Sequence, residues 1–384
     1  MKVLMINSVC GTGSTGRICT DIADMLIAQG HECKIAYGRG SVSEKYKNIS
    51  HKIGFDFDVK MHALAARLFD CSGFCSKAVT RKFVEWIKDY NPDVIHLHNI
   101  HGYFLNVEIL FDYLKTCGKK IVWTLHDCWA YTGHCSHYTY VKCFKWQEKC
   151  FKCPQKKQYP KSVLFSFAKR NFERKKRAFT GVKNMRLVTP SKWLKAEVEN
   201  SFLKDYPITV INNGIDLNVF KPTPSDFREK NGLTDKVIIL GVANVWEQRK
   251  GFGDFIKLSE IIDDKYRIVL IGLSDKQLKH LPKNVIGIKR TDSLTELAEI
   301  YTAADVLFNP TYEDNYPTIN LEAQACGTPV ITYPTGGSVE SVPSENVISL
   351  GNYRILLDGS FNVLPYLSPV DKQSMVNEYI GVIL

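Results

Sequence analysis

Short runs of β-branched and aliphatic residues alternate with stretches of helical period along most of the chain. This alternation is typical of parallel sheets that are covered on both faces by helices. The predicted strands are Val3–Ser8, Lys34–Gly38, Val94–Asn99, Ile121–His126 and Arg186–Pro190 in the first half, and Ile208–Asn212, Val237–Ala243, Arg267–Gly272, Val285–Lys289, Val306–Pro310 and Val330–Tyr333 in the second.

The fold class predicted from this pattern is α/β, with two Rossmann-like doubly wound domains. The length of 384 residues suits two domains, since one domain commonly takes about 150 residues. We predict an N-terminal domain over residues 1–205, a second domain over 206–365, and a C-terminal helix in 366–384 that packs back toward the first domain. Residues 130–165 fit neither period, so we predict a Cys-rich insertion there.

Composition places the chain among soluble globular proteins. Apolar residues make up 45% and charged residues 23% of the sequence, which excludes wholesale disorder and an integral membrane protein. The apolar run Val3–Ile6 is too short for a signal peptide, so we expect a cytoplasmic protein. A net charge of +10 favours an acidic partner, without choosing among a phosphate-bearing substrate, an anionic membrane and a nucleic acid.

Basic and aromatic residues interleave over residues 165–179. One interpretation is a basic amphipathic helix on an anionic membrane, which would make the protein peripheral on the inner face of the plasma membrane. The other is a solvated helix whose aromatic side chains pack into the core. The basic residues of this stretch are Lys169, Arg170, Arg174, Lys175, Lys176 and Arg177.

A glycine-rich segment follows the first predicted strand and matches G-x-G-x-x-G at Gly11, Gly13 and Gly16. Glycines let the backbone approach an anion and a helix start offers N–H groups, so Gly13 and Gly16 are candidate phosphate-binding residues. An NAD site would carry an acidic residue after the second strand, where this chain has Arg39. An NADP-dependent oxidoreductase therefore stays open as an alternative.

Residues suited to a phosphorylated ligand recur in the second half. Arg249 and Lys250 lie in a predicted loop that leads into a helix. Pro317 suits the first turn of another helix, whose free N–H groups would face an anion. Carboxylates flank this helix start, at Glu313 and Asp314 before it and at Glu322 within it.

Together these residues resemble family 4 (group 1) of the retaining glycosyltransferases, of the type found in bacterial polysaccharide biosynthesis. The resemblance covers nearly the whole chain and is densest from about residue 186 to 340. It implies the GT-B architecture, in which two Rossmann-like domains face each other across a cleft. It also implies transfer of a hexose from a nucleotide-diphosphate sugar to a glycan or lipid-linked acceptor, in the synthesis of a capsule or exopolysaccharide.

The resemblance also implies roles for single residues. Two acids separated by seven residues mark the family, and the pair that ends on Glu322 begins at Asp314. The first acid, here either Glu313 or Asp314, holds hydroxyls of the donor sugar, and Glu322 holds those of the ribose. Lys250 neutralises charge on the departing diphosphate, and Arg249 is the candidate substitute for a family arginine that is absent here. Backbone N–H groups around Pro317 to Ile319 take the pyrophosphate. The other donor-binding candidates are Asn315, Tyr316, Pro317, Thr318 and Ile319.

Three residues of the first half complete the predicted site. His126, at the end of a predicted strand, matches a family histidine that contacts the donor sugar. His98 and Asn99 end the neighbouring strand and are assigned to the acceptor side, although a core role for His98 is equally open. We predict no catalytic metal. An Asp-x-Asp motif could bind a divalent cation, but the motif of this chain, Asp56–Asp58, lies far in sequence from the donor motifs.

Four cysteines cluster in the predicted insertion, at Cys135, Cys143, Cys150 and Cys153. Their number suits a tetrahedral structural zinc that would order the loop, while free thiols or a redox pair remain open. A zinc-stapled binding protein with a degenerate donor site is therefore a third hypothesis. A nucleic-acid partner is not predicted, because it would leave the donor motifs of the second half unexplained.

Overall fold

The computed structural model describes residues 1–357 and 369–384. The chain divides into two compact units, the first made of Met1–Ile211 with Val376–Leu384 and the second of Asn212–Met375. Within the described residues the strands form one sheet of seven and one of five, each wholly parallel. None of the helices in these two ranges is long and apolar enough to cross a bilayer.

The first unit is built on the larger sheet, whose strand order is β3-β2-β1-β4-β5-β6-β7. Of its middle strands, Val94–Leu97 is buried along its whole length and Lys120–Thr124 at every residue except Lys120, as expected for a sheet with helices on both faces. The elements of this unit are β1 Lys2–Asn7, α1 Gly13–Ala28, β2 Glu32–Tyr37, β3 Ser50–Lys52, α2 Asp56–Phe69, α3 Lys77–Tyr90, β4 Val94–Leu97, α4 Val107–Leu114, β5 Lys120–Thr124, α5 Ala168–Phe179, β6 Met185–Thr189, α6 Lys192–Glu199 and β7 Ile208–Val210.

The second unit repeats this construction on a smaller scale, with the strand order β10-β9-β8-β11-β12. The last helix, α12, contributes its residues from Val376 onward to the first unit. The elements are α7 Phe227–Lys230, β8 Val237–Val242, α8 Phe252–Ser259, β9 Tyr266–Ile271, α9 Asp275–Leu278, β10 Val285–Ile288, α10 Leu294–Ala303, β11 Val306–Asn309, α11 Thr318–Ala325, β12 Val330–Thr332 and α12 Lys372–Ile383.

The predicted α/β class with two Rossmann-like domains is confirmed, but one strand belongs to the other unit. Residues 208–212 were expected to open the second domain, whereas β7 pairs with β6 in the first sheet, with Ile208 opposite Leu187. The first unit accordingly extends to Ile211 rather than ending at residue 205. The predicted boundary between residues 365 and 366 lies outside the described residues.

The insertion between β5 and α5 contains a single turn of 3₁₀ helix, at Lys145–Gln147, among otherwise irregular backbone. The insertion contributes three fully buried aromatic side chains, Tyr131, Tyr138 and Trp146. The Trp146 ring lies 4.8 Å from the ring of Tyr131 and 5.1 Å from that of Tyr138, centroid to centroid. Aromatic packing of this kind contributes both buried area and fixed geometry, so the insertion has an apolar core of its own.

Candidate active site

The loop after β8 is held against the segment after β11 by a glycine. Gly251 has a φ of +77°, and a Cβ there would overlap the carbonyl oxygen of Pro310. Only glycine adopts this conformation at such close range without strain. The backbone N–H of Tyr312 donates to the carbonyl oxygen of Arg249 at 2.8 Å, which fixes the two segments side by side.

This close approach brings together two candidate residues that are 64 positions apart in the sequence. The ammonium nitrogen of Lys250 lies 2.5 Å from Oδ2 of Asp314, and their side chains are 22% and 17% exposed. The other carboxylate oxygen of Asp314 accepts the backbone N–H of Asn315 at 2.9 Å. A charge-assisted pair at this distance is strong and directional, so Lys250 and Asp314 form one preorganised unit.

The neighbouring acid, Glu313, is placed differently. It is 2% exposed, and its carbonyl oxygen accepts the hydroxyl of Thr311 at 3.0 Å. The guanidinium of Arg249 reaches this same carbonyl at 3.5 Å and pairs with Glu247 at 2.9 Å. Of the two adjacent acids, Asp314 is therefore the one whose carboxylate contacts the lysine.

Helix α11 begins directly after these acids, with Pro317 at its N-cap position. The first N–H groups of any α-helix have no partner within the helix, and Thr318 and Ile319, which carry them here, are half-buried. The side-chain amide of Asn213 donates to the carbonyl oxygen of Tyr316 at 3.1 Å and fixes the entry to the helix. The helix start and its partial positive charge can thus receive an anion.

Glu322 lies one turn into the same helix and is 7% exposed. Its spacing of four residues from Thr318 places both on one helix face. The hydroxyl of Tyr301, on α10, donates to Oε2 of Glu322 at 3.0 Å. This hydrogen bond helps to hold the carboxylate in place.

In the first unit the predicted histidines meet at the carboxyl ends of β4 and β5. Nδ1 of His98 lies 3.0 Å from Nε2 of His126. Burial lowers the pKa of His126 to about 4 and that of His98 well below its usual value, so both imidazoles are neutral at pH 7. The backbone N–H of Asn99 donates to Oδ1 of Asn7 at 3.1 Å, which ties this edge to the end of β1.

Three further residues of this region were missed from the sequence. Oδ2 of Asp127 lies 2.9 Å from Nε2 of His101, and Nδ1 of His101 lies 3.0 Å from the hydroxyl oxygen of Tyr159. Burial acts to raise the pKa of Asp127, but His101, His137 and the backbone N–H of Trp129 together lower it to about 2. Together with His98, Asn99 and His126, both His101 and Asp127 line one pocket.

The predicted glycine-rich segment spans the end of the loop after β1 and the first turn of α1, which begins at Gly13. Gly16 is buried, and its carbonyl oxygen accepts the backbone N–H of Gly11 at 3.1 Å. A Cβ on Gly16 would lie 3.1 Å from that same nitrogen, so this glycine serves the packing of the loop. Gly13 is exposed, with a φ of +63° and open space around it.

Within the basic stretch of residues 165–179, helix α5 packs into the first unit, whereas Phe165 before it is 47% exposed. Phe172 and Phe179 on α5 are buried, and the ring of Phe179 lies 5.0 Å from that of Trp123. The guanidinium of Arg174 pairs with Glu108 at 2.5 Å, and Lys175 is buried. The structure thus supports the core-packing interpretation of α5 and not a membrane-facing apolar side.

The predicted zinc site finds no support. Within residues 1–357 and 369–384 there is no group of three or more His, Cys, Asp or Glu side chains placed to hold a metal ion. A hydrogen bond to Cys153 and burial raise the pKa of the Cys135 thiol, and Cys150 accepts the backbone N–H of Gly133 at 3.1 Å. Cys135 and Cys153 thus engage each other, Cys150 engages the backbone, and the insertion is packed around its aromatic core.

Sequence comparison finds glycosyltransferases among the proteins similar to this chain. WcaC of Escherichia coli K12, named as a colanic acid biosynthesis glycosyl transferase, is 25% identical over 357 residues, covering 86% of this chain and 82% of WcaC. A processive diacylglycerol α-glucosyltransferase of Acholeplasma laidlawii is 28% identical over 157 residues, which cover 38% of this chain and 47% of that protein.

Among solved structures, Anabaena HepE in complex with UDP has the same fold. It superposes with a TM-score of 0.65 at 14% identity and covers 99% of both chains.

Two family profiles match the chain. The one described as Glycosyl transferases group 1 matches residues 236–353, and the one described as Glycosyltransferase Family 4 matches residues 15–219, more than half of the chain. Neither an NADP-dependent oxidoreductase nor a zinc-stapled binding protein is supported by these matches. The chain belongs to glycosyltransferase family 4.

Proposed function

We propose that this glycosyltransferase is a metal-independent, retaining hexosyltransferase that uses a nucleotide-diphosphate sugar. The acceptor is a glycan or a lipid-linked glycan, in the biosynthesis of a cell-surface polysaccharide. The observation that carries the proposal is the ion pair of Lys250 and Asp314 beside the start of α11. It combines a cation, a carboxylate and helix N–H groups, the three kinds of group that a nucleotide sugar requires.

Lys250 supplies the charge that the reaction needs. Negative charge builds on the diphosphate as its bond to the sugar breaks, and a cation already in position stabilises that charge without reorganisation. Before donor binding the ammonium is held by Asp314 at 2.5 Å. The diphosphate then joins an existing pair, with the backbone N–H groups of Thr318 and Ile319 as further donors.

The carboxylates recognise hydroxyl groups. Asp314 is the preferred acid for the sugar, because its carboxylate lies beside Lys250 while Glu313 is buried. Glu322 takes the ribose hydroxyls from a position fixed by Tyr301. Ionised carboxylates accept hydrogen bonds only, so both acids suit ligands that donate from hydroxyls.

His126 contributes a neutral hydrogen-bonding group. Because burial lowers its pKa to about 4, we assign it as an uncharged hydrogen-bonding partner of the donor sugar. No protein base is required, since the leaving phosphate accepts the proton of the acceptor hydroxyl. We assign His98 and Asn99, in the pocket that also contains His101 and Asp127, to the acceptor.

The relatives support the substrate class. WcaC is named for colanic acid biosynthesis, the Acholeplasma enzyme for transfer of glucose to diacylglycerol, and HepE was solved with UDP. These names favour a polysaccharide pathway, an acceptor attached to lipid and a uridine nucleotide.

Donor hydrolysis over a panel of nucleotide sugars, with and without a chelator, tests the proposal. We expect one donor to be turned over equally in both conditions, and Lys250→Ala to lower kcat by about 10²–10³-fold. Lys257→Ala is the matched control, since Lys257 is an exposed lysine on the adjacent helix α8. Turnover that depends on added metal, or equal rates for both variants, would contradict the mechanism.

A further inference from the structure

Two cysteine side chains meet in the loop between α2 and α3. Sγ of Cys71 lies 3.2 Å from Sγ of Cys75, which is within hydrogen-bonding reach for two sulfurs. The carbonyl oxygen of Cys71 accepts the backbone N–H of Phe74 at 3.0 Å, and this bond closes a turn between the two cysteines. The sulfurs of a disulfide lie about 2.05 Å apart, so a small movement of the loop is enough to bridge the pair.

The two thiols of this pair have different electrostatic surroundings. A hydrogen bond from Cys71 outweighs burial and lowers the pKa of Cys75 to about 7, and Arg174 and Lys77 act in the same direction. The same hydrogen bond, together with burial, raises the pKa of Cys71. The thiolate is the reactive form of cysteine, and a thiol whose pKa lies near the ambient pH is the best nucleophile. Cys75 is therefore the attacking member of the pair.

Access to solvent separates this pair from the other cysteines. Both of its members are half-buried, so a small oxidant can reach them. Burial raises the pKa of Cys10 to about 11 and those of Cys33 and Cys326 to about 12, which makes these thiols unreactive. Cys153 also has a pKa lowered to about 7 by a hydrogen bond from Cys135, but Cys135 is only 7% exposed.

The loop that carries the pair packs against the pocket that contains His101 and Asp127. Gly73, between the two cysteines, has a φ of +84°, and a Cβ there would lie 2.9 Å from the indole ring of Trp129. This indole lies 5.1 Å from the ring of His101, centroid to centroid, and the backbone N–H of Trp129 donates to Oδ1 of Asp127 at 2.9 Å. Because packed groups leave no room for an independent shift, a movement of the loop acts on Trp129.

We propose that Cys71 and Cys75 are a reversible redox modification site that reacts with peroxide and acts on the packing of Trp129. The Cys75 thiolate attacks hydrogen peroxide and becomes a sulfenic acid, while the O–O bond breaks and hydroxide leaves. The thiol of Cys71 then attacks the sulfenic sulfur, the S–O bond breaks, and the hydroxyl group leaves with the thiol proton as water. Both cysteines are thereby oxidised to one disulfide, the peroxide is reduced, and a thiol reductant reverses the change.

Peptide mapping of the folded chain detects the disulfide directly. Trypsin cleaves after Arg67 and after Lys77, and the peptide between these sites contains Cys71, Cys75 and no other cysteine. After peroxide treatment and alkylation, this peptide should carry an internal disulfide and no alkyl group, and dithiothreitol before alkylation should restore both thiols. Cys71→Ser should leave Cys75 as a sulfenic acid that dimedone labels, whereas Cys75→Ser should leave Cys71 unoxidised at the same peroxide dose.

Cys135 and Cys153 are the matched control pair. They fall on different tryptic peptides, so a disulfide between them would link two peptides, and we expect less of it at the same peroxide dose. Amide hydrogen exchange over residues 127–130 should differ between the oxidised and reduced chains, and in C71S/C75S it should not respond to peroxide. Full alkylation of Cys71 and Cys75 after peroxide treatment overturns the modification site, and equal exchange in both states overturns its effect on Trp129.

Discussion

Removing the hydroxyl of Tyr301 should weaken donor binding through Glu322. In Tyr301→Phe the ring keeps its packing, while Oε2 of Glu322 loses a donor at 3.0 Å. A hydrogen bond to a charged group contributes about 1.5–3 kcal/mol. Because Glu322 is 7% exposed, water cannot fully replace the lost donor, and the carboxylate becomes both less stable and less fixed in orientation.

The expected result has two parts, which separate stability from function. A loss of about 1.5–3 kcal/mol in a domain of this size lowers Tm by about 3–12 °C. The donor KM should rise by about tenfold with kcat nearly unchanged, because ribose contacts form equally in the ground state and the transition state. Scanning calorimetry gives the first value and initial rates over a donor series give the second.

Tyr266→Phe is the matched control. The hydroxyl of Tyr266 donates to the carbonyl oxygen of Leu357 at 2.7 Å, in the same unit and with similar burial. It should lower Tm without changing the donor KM. If both variants have the donor KM of the unsubstituted enzyme, Glu322 does not act through its contact with Tyr301 and the ribose assignment fails.

Two other variants test the backbone at Gly251 and the buried charge of Lys175. Gly251→Ala should lower Tm by several degrees and abolish turnover, because the added Cβ overlaps Pro310 at a φ of +77°. Gly253→Ala is the control, and because space around Gly253 is open it should leave Tm unchanged or raise it. Equal Tm values for the two variants would refute the argument. Burial lowers the pKa of Lys175 to about 7. Between pH 7 and about 10 the unfolded lysine therefore binds more protons than the folded one, and this group adds stability as pH rises. The unfolding free energy of the unsubstituted chain minus that of Lys175→Met should increase over this range in urea titrations; a constant or falling difference would contradict the assignment.

The fold could be predicted because its main signal is local. Buried parallel strands are continuous apolar runs, and the strands predicted from them differ from the observed ones by a few residues at their ends. Strand β3, Ser50–Lys52, was missed because three half-buried residues carry no such run. The assignment of β7 to the second domain was wrong for another reason. A short strand has the same sequence pattern whichever sheet it joins, and only its pairing with β6 shows that it belongs to the first sheet.

Helix α5 shows where a sequence pattern leaves two surfaces open. The basic and aromatic residues of 165–179 suit either a membrane surface or a solvated helix, yet Phe172 and Phe179 are both buried in the core. Phe57 and Phe69, which are 70% and 51% exposed, lie instead on α2. Apolar spacing alone does not tell which face of a helix meets the core, because a stripe that binds a partner has the same period as one that packs.

The pocket that contains His101 and Asp127 could have been found in part from the sequence. Asp127 directly follows His126 at the carboxyl end of a predicted strand, and parallel strands place such ends at one edge of the sheet, where ligands bind. Tyr159 could not have been found in this way. It contacts His101 across 58 positions from an irregular insertion, whose path is set by the packing of Tyr131, Tyr138 and Trp146. Residues positioned by strand ends are thus accessible to sequence reasoning, whereas residues positioned by the core of an irregular loop require the structure.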